Sequence, residues 1–155
     1  MSGIIFREAT AADLPAIVSL LDDDDLSMGR EDASLPLDPR YLAAFEAISA
    51  DPNQMQVVAD LDGKVVGTMQ LSFLAGIAFR GSWRGQIEAV RIARDLRGQG
   101  LGQQMIEWAV ERCRERGCRM AQLTSKLDRV DAHRFYERMG WKKSHAGFKL
   151  QLEQP

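Results

Sequence analysis

The chain has 155 residues, a formal net charge of −2, 45% hydrophobic and 27% charged side chains, the composition of one globular domain spanning residues 1–155. That balance lacks the basic footprint of a nucleic-acid binder, although basic residues concentrate between Arg80 and Arg119 and point to a local anion site. The start "MSGIIFREATAAD" lacks a leader pattern and no apolar run reaches spanning length, so a cytoplasmic protein without nucleic-acid or membrane partners is expected.

"IIFREAT" reads as a first strand. Thr10 and Asp13 form a capping signal for a helix carrying Leu14, Ile17, Val18 and Leu21, which runs into Asp22–Asp25. Four adjacent acids describe a solvated helix end, and without a glycine-turn pattern they are no calcium loop. A polar, proline-bearing segment, Leu26–Asp38, follows. Pro39 opens a second helix with Tyr41, Leu42, Phe45 and Ile48 on one face. Residues 55–74 form two β-rich runs around Asp62-Gly63, a two-residue hairpin turn, and "SWRGQIEAVRIA" is the next strand. From Leu101 to Arg116 the residues Leu101, Met105, Trp108, Ala109 and Cys113 share a helical face, ended by Gly117. "CRMAQLTS" reads as a buried strand, "DAHRFYERMG" as a short helix and "WKKSHAGFKLQL" as a final pair of strands. The expected fold class is therefore α/β (α+β), with about seven strands, four helices and an antiparallel first half.

Between the fourth strand and its helix lies "RGQGLG", Arg97–Gly102. Glycines let the backbone aim its amides inward, the next helix presents unpaired N–H groups and a positive dipole end, and Arg97 adds charge. Such a loop cradles an anion, with phosphate the best match. No Gly-Lys-Ser/Thr occurs, which excludes a P-loop, and the G-x-G-x-G spacing of Gly98, Gly100 and Gly102 departs from the dinucleotide fingerprint.

"RGQGLG" resembles the R/Q-x-x-G-x-G/A motif of the GNAT superfamily of acyl-CoA-dependent N-acetyltransferases, and "AHRFYERMGW" resembles that family's late A-x-x-F-Y-x-x-x-G-F helix. The resemblance implies a mixed, mostly antiparallel, V-splayed sheet with acetyl-CoA as co-substrate between strands four and five. It places the pantetheine arm on backbone groups of Val90 and Ile92. The pyrophosphate goes on the amides of Arg97, Gly98, Gln99, Gly100, Leu101, Gly102 and Gln103, and a backbone amide near Ile92 polarises the thioester carbonyl. It also implies an amine acceptor, small molecule or protein, and a possible homodimer. Arg129 stands where many members have a cofactor-contacting asparagine.

Acetyl transfer to an amine requires a proton to leave the ammonium and another to reach the thiolate. By resemblance Tyr136 is the acid at the sulfur. Glu88 is the candidate base. Strand alternation predicts Glu88, Val90 and Ile92 on one face and Ile87, Ala89 and Arg91 on the other, where the carboxylate is either a poised base or half of an ion pair. His133 reads as a surface histidine and His145 as a substrate-side candidate in the last hairpin. No pattern has metal-ligand spacing. Cys113 and Cys118 fit neither a disulfide framework nor a C-x-x-C pair, so direct attack in a ternary complex is preferred over an acyl-cysteine route. The alternative is a non-catalytic acyl-CoA-binding or partner-binding module on the same fold.

Overall fold

The computed structural model describes residues 3–23 and 29–153, so part of the Asp22–Asp25 run and the start of the Leu26–Asp38 segment lie outside the described residues. The elements are β1 (Ile4–Glu8), α1 (Leu14–Asp22), α2 (Pro39–Ala50), β2 (Gln54–Leu61), β3 (Lys64–Leu74), the one-turn α3 (Ala78–Gly81), β4 (Arg84–Ile92), α4 (Leu101–Glu115), β5 (Met120–Leu123) and α5 (Val130–Arg138). The chain divides into two compact units, Met1–Gln122 and Leu123–Pro155.

The strands form one sheet in the order β1-β2-β3-β4-β5, and the first three ladders are antiparallel. The Arg119 N–H donates to the Trp83 carbonyl at 2.8 Å, and the Gln122 amide donates to Gln86 Oε1 at 2.6 Å. Positions rise together on the two strands, so β5 runs parallel to β4 and the sheet is mixed. β5 ends at Leu123 while β4 continues to Ile92, so no strand among the described residues pairs with the outer edge of β4 beyond its first half. This agrees with the expected α/β class and the expected splay beside strand four.

Paired residues across a ladder share a face, which sorts the packing. One face carries Val57, Ala59, Gly67, Met69, Leu71, Phe73 and Ile87, and α4 lays Leu101, Met105, Ile106, Ala109 and Cys113 against it; except for Gly67, all of these appear among the buried apolar residues. Gly85 lies on this face because a Cβ there would overlap Cys113 Sγ, so α4 approaches the β4 backbone directly. On the other face Val58 packs with Leu14 and Ile17 of α1, and Phe45 of α2 joins the cluster.

The turn and cap signals act as expected. Asp62 and Gly63 take φ of 50° and 89° in the β2–β3 hairpin, and Gly117 takes 75° after α4. The Asp13 carboxylate accepts the Thr10 N–H at 2.7 Å and both ends of the Arg7 guanidinium at 2.8 and 3.1 Å, while Arg7 Nε reaches Asp60 at 3.1 Å. The Arg7 hydrogen bonds hold the Asp13 carboxyl below its ordinary value of 3.8.

Two expectations need correction. The count is five strands, not seven: residues 141–153 form no strand among the described residues. Phe148, Leu150 and Leu152 do alternate, but alternation marks only a two-residue period, and a strand also needs a neighbour that takes its backbone hydrogen bonds. The second correction concerns β4. Thr68 pairs with Arg91 and Gln70 with Glu88, so Met69 faces two residues, Ala89 and Val90, and Ala89 takes φ of 52°. This β-bulge shifts the strand's alternation by one. Glu88 and Arg91 therefore share the α1 and α2 face with Gln70 and Thr68. Ile92, opposite Gly67, is on the α4 face, so Glu88 does not share a face with Ile92 as alternation predicted.

Candidate active site

The loop after β4 is built from three short steps. A single 3-10 turn, Arg94–Leu96, leads into Arg97; Gly98 and Gly100 take φ of 76° and 86°; α4 begins at Leu101. No atom lies within 4 Å of a Cβ built on either glycine, so glycine is needed there for its left-handed backbone and not for close packing. Among the described residues no backbone carbonyl accepts the amides of Gly98, Gln99, Gly100, Leu101, Gly102 or Gln103, and the first such bond in α4 is Gln104 N–H to Gly100 at 3.1 Å. Six consecutive donors at the positive end of a 15-residue helix form a cradle for a polyvalent anion.

Arg97 plays a part that spacing did not reveal. Its Nε donates to the Ile92 carbonyl at 3.1 Å and its Nη2 to the Asp23 carbonyl at 3.3 Å. Arg94 Nη2 meets the Asp23 carboxylate at 3.1 Å. Arg97 thus braces the loop against the end of β4 and the end of α1, while the backbone faces the cradle. The acidic run does end α1 at Asp22, as expected, but its next residue ties that helix to the loop.

Next to this loop, the outer edge of β4 from Glu88 onward, which includes Val90 and Ile92, has no strand beside it among the described residues, since Gln122 meets Gln86 and β5 ends at Leu123. Glu88 is exposed and Arg91 half-buried. Arg91 Nη1 donates to the Val90 carbonyl at 2.9 Å, a bulge carbonyl. Across the same face runs a row of half-buried amides: Gln70 donates to Gln54 at 3.0 Å, Gln56 to Thr68 Oγ1 at 2.8 Å, and Gln122 to Gln86. Sequence reasoning missed this floor. The alternating Gln54/Gln56, Gln70/Ser72 and Gln86/Glu88 were its signal, which read only as polar strand positions.

In the second unit Tyr136 is half-buried on α5, its ring 5.0 Å from Phe135 and 6.0 Å from Trp141, both edge-on. Arg129 is the N-cap of α5 and its side chain does not cap the helix. His133 Nε2 lies 2.8 Å from the Lys126 carbonyl, to which it donates, and Nδ1 lies 3.4 Å from Lys143 Nζ, from which it accepts. His145 Nδ1 lies 2.6 Å from Ser144 Oγ. Both His133 nitrogens serve local ties. Burial pushes the Cys113 thiol up to about 11 and that of Cys118 above its ordinary value, which keeps both protonated and poor nucleophiles.

Residues 16–141 match the model of the Acetyltransferase (GNAT) family. The chain belongs to that family. It is 36% identical over 108 residues to the aminoalkylphosphonate N-acetyltransferase of Salmonella typhimurium, covering 70% of each chain. It is 33% identical over 116 residues to an L-methionine sulfoximine/L-methionine sulfone acetyltransferase of Pseudomonas paraeruginosa, covering 72% of this chain and 64% of that one. Among solved structures, a transcriptional regulator from Bacillus halodurans C-125 superposes with a TM-score of 0.94 at 44% identity, covering 96% of this chain and 99% of that one. The GNAT match spans both compact units and includes the glycine loop and the Phe135-Tyr136 helix.

Proposed function

We propose that the protein is an N-acetyltransferase that moves the acetyl group of acetyl-CoA to the primary amine of a small molecule by direct attack in a ternary complex. The observation that carries this reading is the row of six amides that, among the described residues, no backbone carbonyl accepts, beside a strand edge that no described strand pairs with. The amides of Gly98 to Gln103 suit the pyrophosphate of coenzyme A, and the edge of β4 at Val90 and Ile92 suits hydrogen bonding by its pantetheine arm. Both compact units belong to this one domain, in keeping with the span of the family match. The two relatives are named for small molecules, one as an aminoalkylphosphonate N-acetyltransferase and one as an L-methionine sulfoximine/L-methionine sulfone acetyltransferase, which favours a small acceptor over a protein.

In this reading Glu88 takes a proton from the acceptor ammonium, whose pKa of ~10 would otherwise leave little free amine at neutral pH. The amine nitrogen forms a bond to the thioester carbon while a backbone amide of β4 near Ile92 donates to the developing oxyanion. The carbon–sulfur bond then breaks, Tyr136 donates its hydroxyl proton to the departing thiolate, the second proton on the amide nitrogen passes through water to the Tyr136 phenolate, and Glu88 returns its proton to solvent. The raised thiol of Cys113 supports direct attack over an acyl-cysteine intermediate.

The test is thiol release from acetyl-CoA with a panel of small amines. Tyr136→Phe lowers kcat by roughly a hundredfold and leaves the acetyl-CoA Kd nearly unchanged; an unchanged rate removes Tyr136 from the acid role. The 44% identical Bacillus halodurans protein, named a transcriptional regulator, motivates a second reading, a non-catalytic acyl-CoA-binding module. Thermal stabilisation by acetyl-CoA with no turnover on any amine would decide for it.

A further inference from the structure

We infer that Cys113 and Cys118 form an oxidisable dithiol, a site for reversible thiol–disulfide exchange at the C-terminal end of α4. It is independent of the acetyl-transfer reading and uses none of its groups. Five residues apart, the two cysteines match no redox spacing in sequence; the helix end supplies their proximity. α4 ends at Glu115, Arg116 is its C-cap and Gly117 follows with φ of 75°. The Cys118 N–H donates to the Cys113 carbonyl at 2.9 Å, and the Gly117 N–H to the Arg114 carbonyl at 2.9 Å. These are the two bonds of a Schellman closure, which sets the third-last helical residue against the second residue past the cap. Such a closure ordinarily carries an apolar contact between those two side chains. Here both are cysteines, and their thiols hydrogen-bond, Cys113 donating to Cys118.

Both cysteines are held in place. Cys113 is buried against Gly85, so close that no Cβ fits between them. Cys118 is half-buried, fixed on one side by the closure and on the other by Arg119, whose N–H donates to the Trp83 carbonyl at 2.8 Å. The fold has therefore already closed the short loop that a disulfide would close, and bond formation loses little further chain entropy. The oxidant is a low-molecular-weight disulfide, which meets the more exposed Cys118 first. The Cys118 thiolate attacks one of its sulfurs, forms a mixed disulfide and expels one small thiolate, which takes up the proton that Cys118 lost. Cys113 then gives up its proton, attacks Cys118 Sγ and expels the second small thiol. Two protein thiols become one disulfide while one small disulfide becomes two small thiols, so electrons and protons balance. Burial keeps both thiols protonated at neutral pH, so the exchange takes on the order of hours, and an excess of the small thiol reverses it.

The experiment equilibrates the full chain overnight with graded mixtures of oxidised and reduced glutathione, once natively and once in concentrated urea, and reads free thiols and intact mass. The chain has 2 cysteines, so the expected product is a monomer with no free thiol that has lost two hydrogen atoms. Its equilibrium constant is about tenfold or more higher for the native chain than for the unfolded one, and by linkage the oxidised chain melts several degrees above the reduced one. Cys118→Ser, given the same treatment, shows no such rise. Both thiols remaining free at every ratio, or one glutathione retained on Cys118, means that the two sulfurs do not meet, which overturns the inference. Disulfide-linked dimers overturn it as well. An oxidised chain that melts at or below the reduced one assigns the bond to an opened helix end instead of the folded closure, and that outcome overturns it too.

Discussion

At the scale of single residues, the site depends on backbone conformation as much as on side chains. Gly100 holds φ of 86° at the N-cap of α4 with open space where a Cβ would go. Gly100→Ala therefore meets a conformational penalty and no clash, and costs about 1 kcal/mol of stability, read as a fall in urea midpoint. If the amide cradle holds the pyrophosphate, the same variant raises the acetyl-CoA Kd severalfold, which a titration would show. Glu88 makes a different kind of contribution. It is exposed and at the bulge, so Glu88→Gln leaves the melting temperature nearly unchanged while lowering kcat by roughly a hundredfold if it is the base. A rate unchanged within experimental error would mean that the proton leaves through another group. Both candidates were picked out in the sequence, Gly100 from a glycine spacing and Glu88 from its place ahead of that loop, and the left-handed backbone of Gly100 is what the structure adds. Arg91 was not, because period-two alternation assigned it to the wrong face.

At the scale of elements, the decisive contact is that of α4 with β4. Gly85 and Cys113 form a bump and a hollow: any Cβ on the strand overlaps the thiol on the helix. Gly85→Ala should destabilise the protein by about 1–3 kcal/mol through overpacking. Gly85→Ala with Cys113→Ala should recover most of that loss, the coupling expected of residues in direct contact. Additive losses in the double variant would show that the strand conformation, and not the thiol, demands glycine. The helices and the β2–β3 hairpin were readable because caps, turn residues and 3.6-residue periodicity are local signals. The bulge was unreadable because it is a relation between two strands: only the pairing of Gln70 with Glu88 and Thr68 with Arg91 exposes the extra residue. Residues 141–153 failed in the reverse sense, since their alternation is local while strand pairing is not.

At the scale of the whole molecule, stability and ligand binding are linked through charge. The Arg7–Asp13 pair joins β1 to the start of α1, and Asp13 is the most buried acid in the network. Its carboxyl pKa is lower in the folded state than the ordinary 3.8, so its contribution is complete above about pH 4 and is lost as pH falls below that value. Asp13→Asn should cost about 1–3 kcal/mol at pH 7. The difference from the native protein should narrow as pH falls below 4, measured as urea midpoints against pH. A constant difference across that range would assign the effect to the cap bond from Thr10 alone. Acetyl-CoA at a hundred times its Kd should add about 2.7 kcal/mol by mass action if only the folded state binds it. The family was legible from two motifs, the glycine loop and the Phe135-Tyr136 helix, because both lie within the span that matches the family. The amide row across the sheet was not, because a row of glutamines reads as ordinary strand polarity until the strands are set side by side.

The bulge in β4 gives the strand the character of a crystal with a one-unit dislocation: before it and after it the residues run in opposite phase. Excising Ala89 would leave Val90 alone opposite Met69 and keep Arg91 opposite Thr68 and Ile92 opposite Gly67, so the ladder would become regular with every downstream side chain still on its present face. The extra residue is a spacer: it lets three steps of chain between Glu88 and Arg91 occupy two steps of sheet, so one unit of length is absorbed at Met69 and the faces on either side stay as they are.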